Sequence, residues 1–206
     1  MLTVRNVAGV LAVGICVALM PSILPSTALP QPVELFEEFE NTTVFWEQFE
    51  VAKKIVALGD KSVLLRLEPW LHCGDMRRRG NAGFIFAKFG DDRGFQTIVS
   101  ILDDRSTNRA IEARDDAGEP SPKMQIRADR YYAAHLLGDL RDVRAVPILV
   151  PLLKDEDVKY IVPWSLAEIG DKSAIPSLKN ALGDDSLTMR AAAQLALEKL
   201  EGHSPD

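Results

Sequence analysis

The stretch "EIGDKSAIPSLKNALGDD", residues 168 to 185, decides how the chain is to be read. Its Gly170-Asp171, Pro176, Asp184 and evenly spaced leucines are the residue types that begin and end helices. Glycine suits the residue just past a helix end, where a positive φ strains any side chain with a Cβ. Proline suits a helix's first turn, where its missing N–H is not needed and its fixed φ is already helical. An aspartate ahead of a helix caps free N–H groups and meets the positive end of the helix dipole. The segment therefore predicts the end of one helix, a tight turn, a second short helix and the approach to a third.

Working outward, the Gly-Asp pair recurs at Gly59-Asp60, Gly90-Asp91 and Gly138-Asp139, so that the four copies stand 31, 48 and 32 residues apart. Downstream of each lies a similar phrase: "LRLEPWL" from Leu65, "QTIVSIL" from Gln96, "PILVPLL" from Pro147 and "PSLKNAL" from Pro176. Their third and seventh residues, Leu67/Leu71, Ile98/Leu102, Leu149/Leu153 and Leu178/Leu182, make the i, i+4 stripe of one helix face. Upstream, Leu58, Phe89, Leu137 and Ile169 precede the glycine. Ile55, Phe86, Ala134 and Leu166 stand four before it, and Gln48, Arg79, Arg127 and Lys159 eleven before it. A fifth copy without Gly-Asp begins at Arg190 and places Leu197 and Leu200 in register, while Asp104, Asp155 and Asp184 each precede the next unit. Self-similarity at this period predicts stacked helical hairpins, because one hairpin cannot bury both its apolar stripes. The basic position early in each first helix is expected to form a ladder with acids of neighbouring units.

The pattern in "IRADRYYAAHLLGDLRDVRAVPILVPLLKD" and in "YIVPWSLAEIGDKSAIPSLKNALGDD", followed by "MRAAAQLALEKL", resembles the short HEAT-like repeats first recognised in phycobilin lyase subunits. The resemblance covers residues 43–201. It implies an all-α fold, an α-solenoid of about four hairpins plus a closing helix. It implies no particular activity, since this repeat serves unrelated tasks.

A chain of 206 residues with 47% apolar content suffices for one domain with a sizeable core. A net charge of −6 argues against a nucleic-acid partner, which would call for a concentrated basic surface. Residues 1–28 read as an export signal, with one Arg, no acid and an apolar run from Val7 to Leu24. Small residues at Ser26-Thr27-Ala28 predict cleavage after Ala28 and a periplasmic or extracellular protein. If uncleaved, residues 7–24 are long enough for a membrane anchor. Cleavage would remove Cys16 and leave Cys73 alone, so no internal disulfide is expected. Residues 29–42 are expected to be a linker and N-terminal cap, and 202–206 a tail. Phe36, Phe39, Phe45, Trp46 and Phe49 are expected to close the open end of the stack, with Thr42 or Thr43 capping the first repeat helix. Asn41-Thr42-Thr43 matches a glycosylation acceptor. The excess length of the 48-residue interval lies in residues 104–124, whose mixed charge and Gly-Glu-Pro-Ser-Pro run predict a mobile inserted loop.

Catalytic patterns are missing from the sequence. His72, His135 and His203 have no His or Cys at i+3 or i+4, and no His-Glu pair occurs, although some enzymes of similar repeat architecture bind iron through such pairs. No Gly-x-Ser-x-Gly is present. Gly80-Asn81-Ala82-Gly83 lacks the Lys-Ser/Thr of a phosphate loop and reads instead as a place where helices pack closely. Neither cofactor nor metal nor catalytic residues are therefore expected. Contacts are sought on the second helices, where Arg66, Thr97, Ile148 and Ser177 form one row and Pro69, Ser100, Pro151 and Asn180 another. Trp70, Trp164 and the run Arg77-Arg78-Arg79, which local acids such as Asp75 could neutralise, join them. The sequence thus predicts an exported, monomeric, non-catalytic scaffold that binds a protein or peptide on its concave face. The alternative is a lyase-like or chaperone-like accessory subunit of an enzyme acting on a cofactor-bearing protein.

Overall fold

A computed structural model describes residues 32–107, 109 and 111–202. The expected export signal, with its cleavage site and Cys16, lies outside the described residues, as does His203. The described chain is an all-α solenoid. Its helices are α1 (Pro32–Asn41), α2 (Phe45–Leu58), α3 (Val63–Leu67), α4 (Met76–Lys88), α5 (Asp92–Asp103), α6 (Pro122–Leu140), α7 (Val146–Leu149), α8 (Val162–Ile169), α9 (Ile175–Ala181) and α10 (Leu187–Glu201). The pairs α2/α3, α4/α5, α6/α7 and α8/α9 are the four hairpins, and α10 is the closing helix. Short 3₁₀ turns extend α3 through Glu68–His72 and flank α7 at Val143–Ala145 and Val150–Lys154.

Three of the four Gly-Asp pairs are turns. Gly59, Gly90 and Gly170 have φ of 73°, 83° and 80°, and Asp91 and Asp171 accept from the N–H two residues on. The third is not. Gly138 is buried inside α6, and the left-handed residue is Arg141, at φ 55°. Asp142 then takes the aspartate's role, accepting from the N–H of Arg144 at 3.0 Å. With Arg141-Asp142 in place of Gly138-Asp139, each downstream phrase starts five residues after its aspartate (Asp60, Asp91, Asp142, Asp171). Gly138 is glycine for a different reason: a Cβ there would lie 2.9 Å from both the Cα of Ser165 and the ring of Trp164. Helices α6 and α8 cross at that point.

The register shift also corrects the ladder. Eleven residues before Arg141 stands Arg130, not Arg127. Arg130 is 1% exposed and donates to the Leu102 carbonyl at 2.8 Å and to Asp155 at 2.7 Å. Arg79 donates to the Cys73 carbonyl, Arg190 to that of Asp184, and Lys159 pairs with Glu156 at 2.7 Å. Each cation satisfies carbonyls or acids at a junction between units, where helix ends leave C=O groups without partners. Asp104, Asp155 and Asp184 each accept an N–H two residues on, as anticipated for junction caps.

The core is continuous from Leu35, Phe36 and Phe39 of α1 to Ala196, Leu197 and Leu200 of α10. Closely approaching backbones help to build it. Gly83 and Gly94 face each other between α4 and α5, where a Cβ on Gly94 would stand 2.2 Å from the Gly83 carbonyl oxygen. At the N-terminal end Phe36, Phe39 and Phe49 are buried as expected, but Trp46 is 57% exposed. Neither Thr42 nor Thr43 caps α2. The N-cap is Val44, and the Thr42 hydroxyl donates back to the Glu38 carbonyl of α1.

The inserted segment ends at Ser121, which caps α6. Its described residues make polar contacts with α6 and with Asp104. Arg109, its side chain 1% exposed, pairs with Asp129 of α6 at 2.8 Å and Asp104 at 3.0 Å. The N–H groups of Glu112 and Ala113 both donate to the Gln125 amide oxygen at 2.8 Å. Burial pushes the Asp129 carboxyl up, against the pull of Arg109, Gln125 and Arg77.

Candidate functional site

The first helices build an apolar recess. Residues of α2 (Phe45, Trp46, Phe49, Glu50, Lys53), α6 (Met124, Arg127, Ala128, Tyr131, Tyr132, His135, Asp139) and α8 (Trp164) line a groove of about 670 Å³. That volume is within the range of ligand-binding clefts. Its rings form a connected series. Phe45 meets Trp46 at 4.3 Å and Tyr132 edge-on at 4.8 Å, and Phe49 meets Tyr132 at 6.3 Å. His135 then stacks on Trp164 at 4.3 Å. Trp46, Tyr131 and Trp164 stand 57%, 42% and 36% exposed along the rim.

A buried polar chain holds the groove's walls. The Tyr132 hydroxyl donates to the Asn81 side-chain oxygen at 2.5 Å, and the Asn81 amide donates to the Phe45 carbonyl at 2.7 Å and to Gln48 at 3.0 Å. Gln48 in turn donates to the Phe39 carbonyl at 2.9 Å. Buried polar groups need partners, and here four helices supply them to one another. Burial, first of all, pushes the Tyr132 hydroxyl far above the usual phenol range, so it remains a donor. Gly80 completes the arrangement: a Cβ would meet Leu136 at 2.7 Å, so its absence lets α6 settle on α4.

Charge is sparse in the groove. Glu50 pairs with Lys53 at 2.6 Å, and the Asp139 carboxylate faces Nδ1 of His135 at 3.2 Å. Arg127, exposed at the rim, makes no ion pair with another described residue. Beyond Lys53 and Asp139 the groove opens onto a shallower recess of about 330 Å³ that adds Lys88 and Arg141. Burial lowers the Lys88 ammonium, which donates to the Leu140 carbonyl at 3.0 Å.

Of the contact residues singled out in the sequence, Trp164 lines the groove and the others lie elsewhere. Arg66 sits 3.6 Å over the Phe36 ring, and Trp70 is half-buried, edge-on to Phe39 with the Arg78 guanidinium over its face. Arg78 also donates to the Glu40 carbonyl. Arg77 pairs with Glu112 and Asp129 and lies over Phe45. Asp75 caps α4 by accepting from the N–H groups of Arg77 and Arg78. Thr97 and Ser100 bond to backbone carbonyls of their own helix. Ser177 and Asn180 line a separate cleft of about 610 Å³ with Val150, Pro151 and Lys154. The described residues include no group of three or more His, Cys, Asp or Glu that could hold a metal ion, and no helix long and apolar enough to cross a membrane.

The place of His135 in the groove escaped the sequence reading because of the register at Gly138. Counted from Gly138, His135 aligns with the packed Ala167. Counted from Arg141, it aligns with Trp164, six before the left-handed residue, and both face the groove.

An open aromatic groove on stacked helical hairpins defines a helical-repeat scaffold. Residues 126–198 match the family described as HEAT repeats. A 76-residue stretch is 32% identical to human deoxyhypusine hydroxylase, covering 35% of this chain and 25% of that enzyme. The chain thus aligns with about a quarter of that relative's length.

Proposed function

We propose that the protein is an exported, non-catalytic HEAT-repeat scaffold that holds a segment of a partner protein in the groove between α2, α6 and α8. One observation carries this reading: Trp46, Tyr131 and Trp164 stand exposed along a single apolar groove. Solvated tryptophan and tyrosine rings gathered in one place are the residues that anchor protein interfaces. By contrast Arg66, Trp70, Arg77 and Arg78 are engaged within the chain, which favours the groove over the second-helix rows. The scaffold acts as a monomer, and the net charge of −6 favours a protein over a nucleic acid as its partner.

Photo-crosslinking residues placed at Trp46, Tyr131 and Ser177 test the site in envelope fractions. The expected result is adducts to one partner from the two groove positions, lost when Trp164→Ala is added. Equal adducts from Ser177, or none from the groove, would refute it. Export is tested by the mature N-terminus, expected at Leu29. A second reading, an accessory subunit of an enzyme acting on a cofactor-bearing protein, draws on the similarity to an enzyme. A pigment or stoichiometric metal copurifying with the chain would favour it.

A further inference from the structure

Resting on that reading of the groove, we infer that Met124 is its oxidation-sensitive element: peroxide converts the thioether to the sulfoxide, and the groove then loosens its hold on the partner. Placement and accessibility carry the argument. Of the described residues lining the groove, Met124 alone contains sulfur. It is half-buried, whereas Met76 and Met189 are 8% and 0% exposed. The comparison with Met189 is close. Each is the third residue of its helix, α6 or α10, and each donates its N–H at 3.4 Å to the hydroxyl of the serine that caps that helix, Ser121 or Ser186. Position within the helix therefore does not set the difference. Met189 faces the core, and Met124 faces the groove.

The step needs only hydrogen peroxide. A sulfur lone pair attacks one peroxide oxygen, the O–O bond breaks as the S–O bond forms, and the hydroxide that leaves takes up the proton of the transferred oxygen to become water. Sulfur gives up two electrons and the peroxide gains them. The product is polar and chiral where the thioether was apolar and polarizable. The lining around it is largely aromatic, so an apolar segment of the partner covers the new oxygen only by stripping its water, which costs free energy. Leucine would fill a similar volume without this response. Methionine sulfoxide reductases reverse the oxidation, which makes the loosening recoverable.

The test treats the purified chain, carrying a photo-crosslinker at Trp46, with hydrogen peroxide, removes the excess with catalase and adds the chain to untreated envelope fractions. Peptide mass spectrometry should show one oxygen added at Met124 about tenfold faster than at Met76 or Met189, which react only when the core opens. Circular dichroism should be unchanged. Groove adducts should fall roughly tenfold and return after treatment with methionine sulfoxide reductase. Met124→Leu, compared with its own untreated sample, should show no such fall. Equal oxidation of the three methionines would overturn the inference. So would adducts that survive oxidation of Met124, that the reductase does not restore, or that fall as much in Met124→Leu. If untreated chain gives adducts and oxidation leaves them intact, this inference alone fails and the scaffold reading stands. If untreated chain gives none, both fall.

Discussion

Replacing Arg130 by alanine tests the packing of the third hairpin and the register that places it. The guanidinium, 1% exposed, donates to the Leu102 carbonyl at 2.8 Å and to Asp155 at 2.7 Å, with Asp157 at 3.4 Å. Truncation leaves the carbonyl without a partner at the end of α5, a loss of about 1–3 kcal/mol. Asp155 keeps Arg105 at 3.1 Å and the N–H of Asp157, and its side chain is 19% exposed, so it is not stranded. The total should therefore fall at the low end of the range for breaking a buried pair, about 3 kcal/mol. For a chain of this size that is a fall in Tm of roughly 6–12 °C. Arg127→Ala, three residues earlier and exposed, should change stability by less than about 0.5 kcal/mol. Arg130→Lys should recover only part of the loss, because an ammonium cannot span the carbonyl and the carboxylate as the planar fork does. Urea denaturation followed by circular dichroism measures all three, the shift appearing in the midpoint with m unchanged. Comparable losses for Arg127→Ala and Arg130→Ala would refute the register centred on Arg141.

Gly94→Ala should cost about 3 kcal/mol or more in the same assay, because the new methyl would strike the Gly83 carbonyl and Ala87 nitrogen rather than a movable side chain. An effect below about 1 kcal/mol would show that α4 and α5 can separate freely. Gly170→Asn should be tolerated within about 1 kcal/mol, since Asn enters the left-handed region readily. Gly138→Asn should cost about 2 kcal/mol or more through contact with Ser165 and Trp164, and equal costs at the two sites would refute the distinction. Glu168 is held below the usual carboxylate range first by Lys199 and also by Arg141, against partial burial. A lowered folded pKa stabilises above the unfolded value of about 4.3 and is lost as pH falls through the folded one. Glu168→Gln should therefore destabilise by about 0.5–1 kcal/mol at pH 7, with the difference shrinking towards pH 3. A difference that persists undiminished at pH 3 would contradict this.

Helical hairpins, their number and the stacked core were legible because their signals are local. Glycine at a left-handed turn, an aspartate accepting the N–H two residues on, proline in a first turn and leucines four apart act within a few residues of themselves. The same locality explains the slip at Gly138. Three residues turn a helix by 300°, so a register wrong by three rotates each position only about 60°, and Ala134 and Leu137 are both fully buried. Apolar pattern alone could not separate them. Arg127 and Arg130 differ completely, one at the rim of the groove and the other in the junction between units, because at a charged position those 60° decide between water and core.

The sequence by itself determined an all-helical stack of four hairpins with a closing helix, and that Gly83 marks a close approach, since helix period and end chemistry are written in neighbouring residues. Only the tertiary structure decided that Gly138 serves a crossing of α6 over α8, that Arg109 and Gln125 join the inserted segment to α6, and that Phe45, Tyr132, His135 and Trp164 share one groove. These residues come from three hairpins. Their meeting depends on how far each unit rotates on the one before it, which is the sum of many small contacts and is encoded in no short stretch of chain.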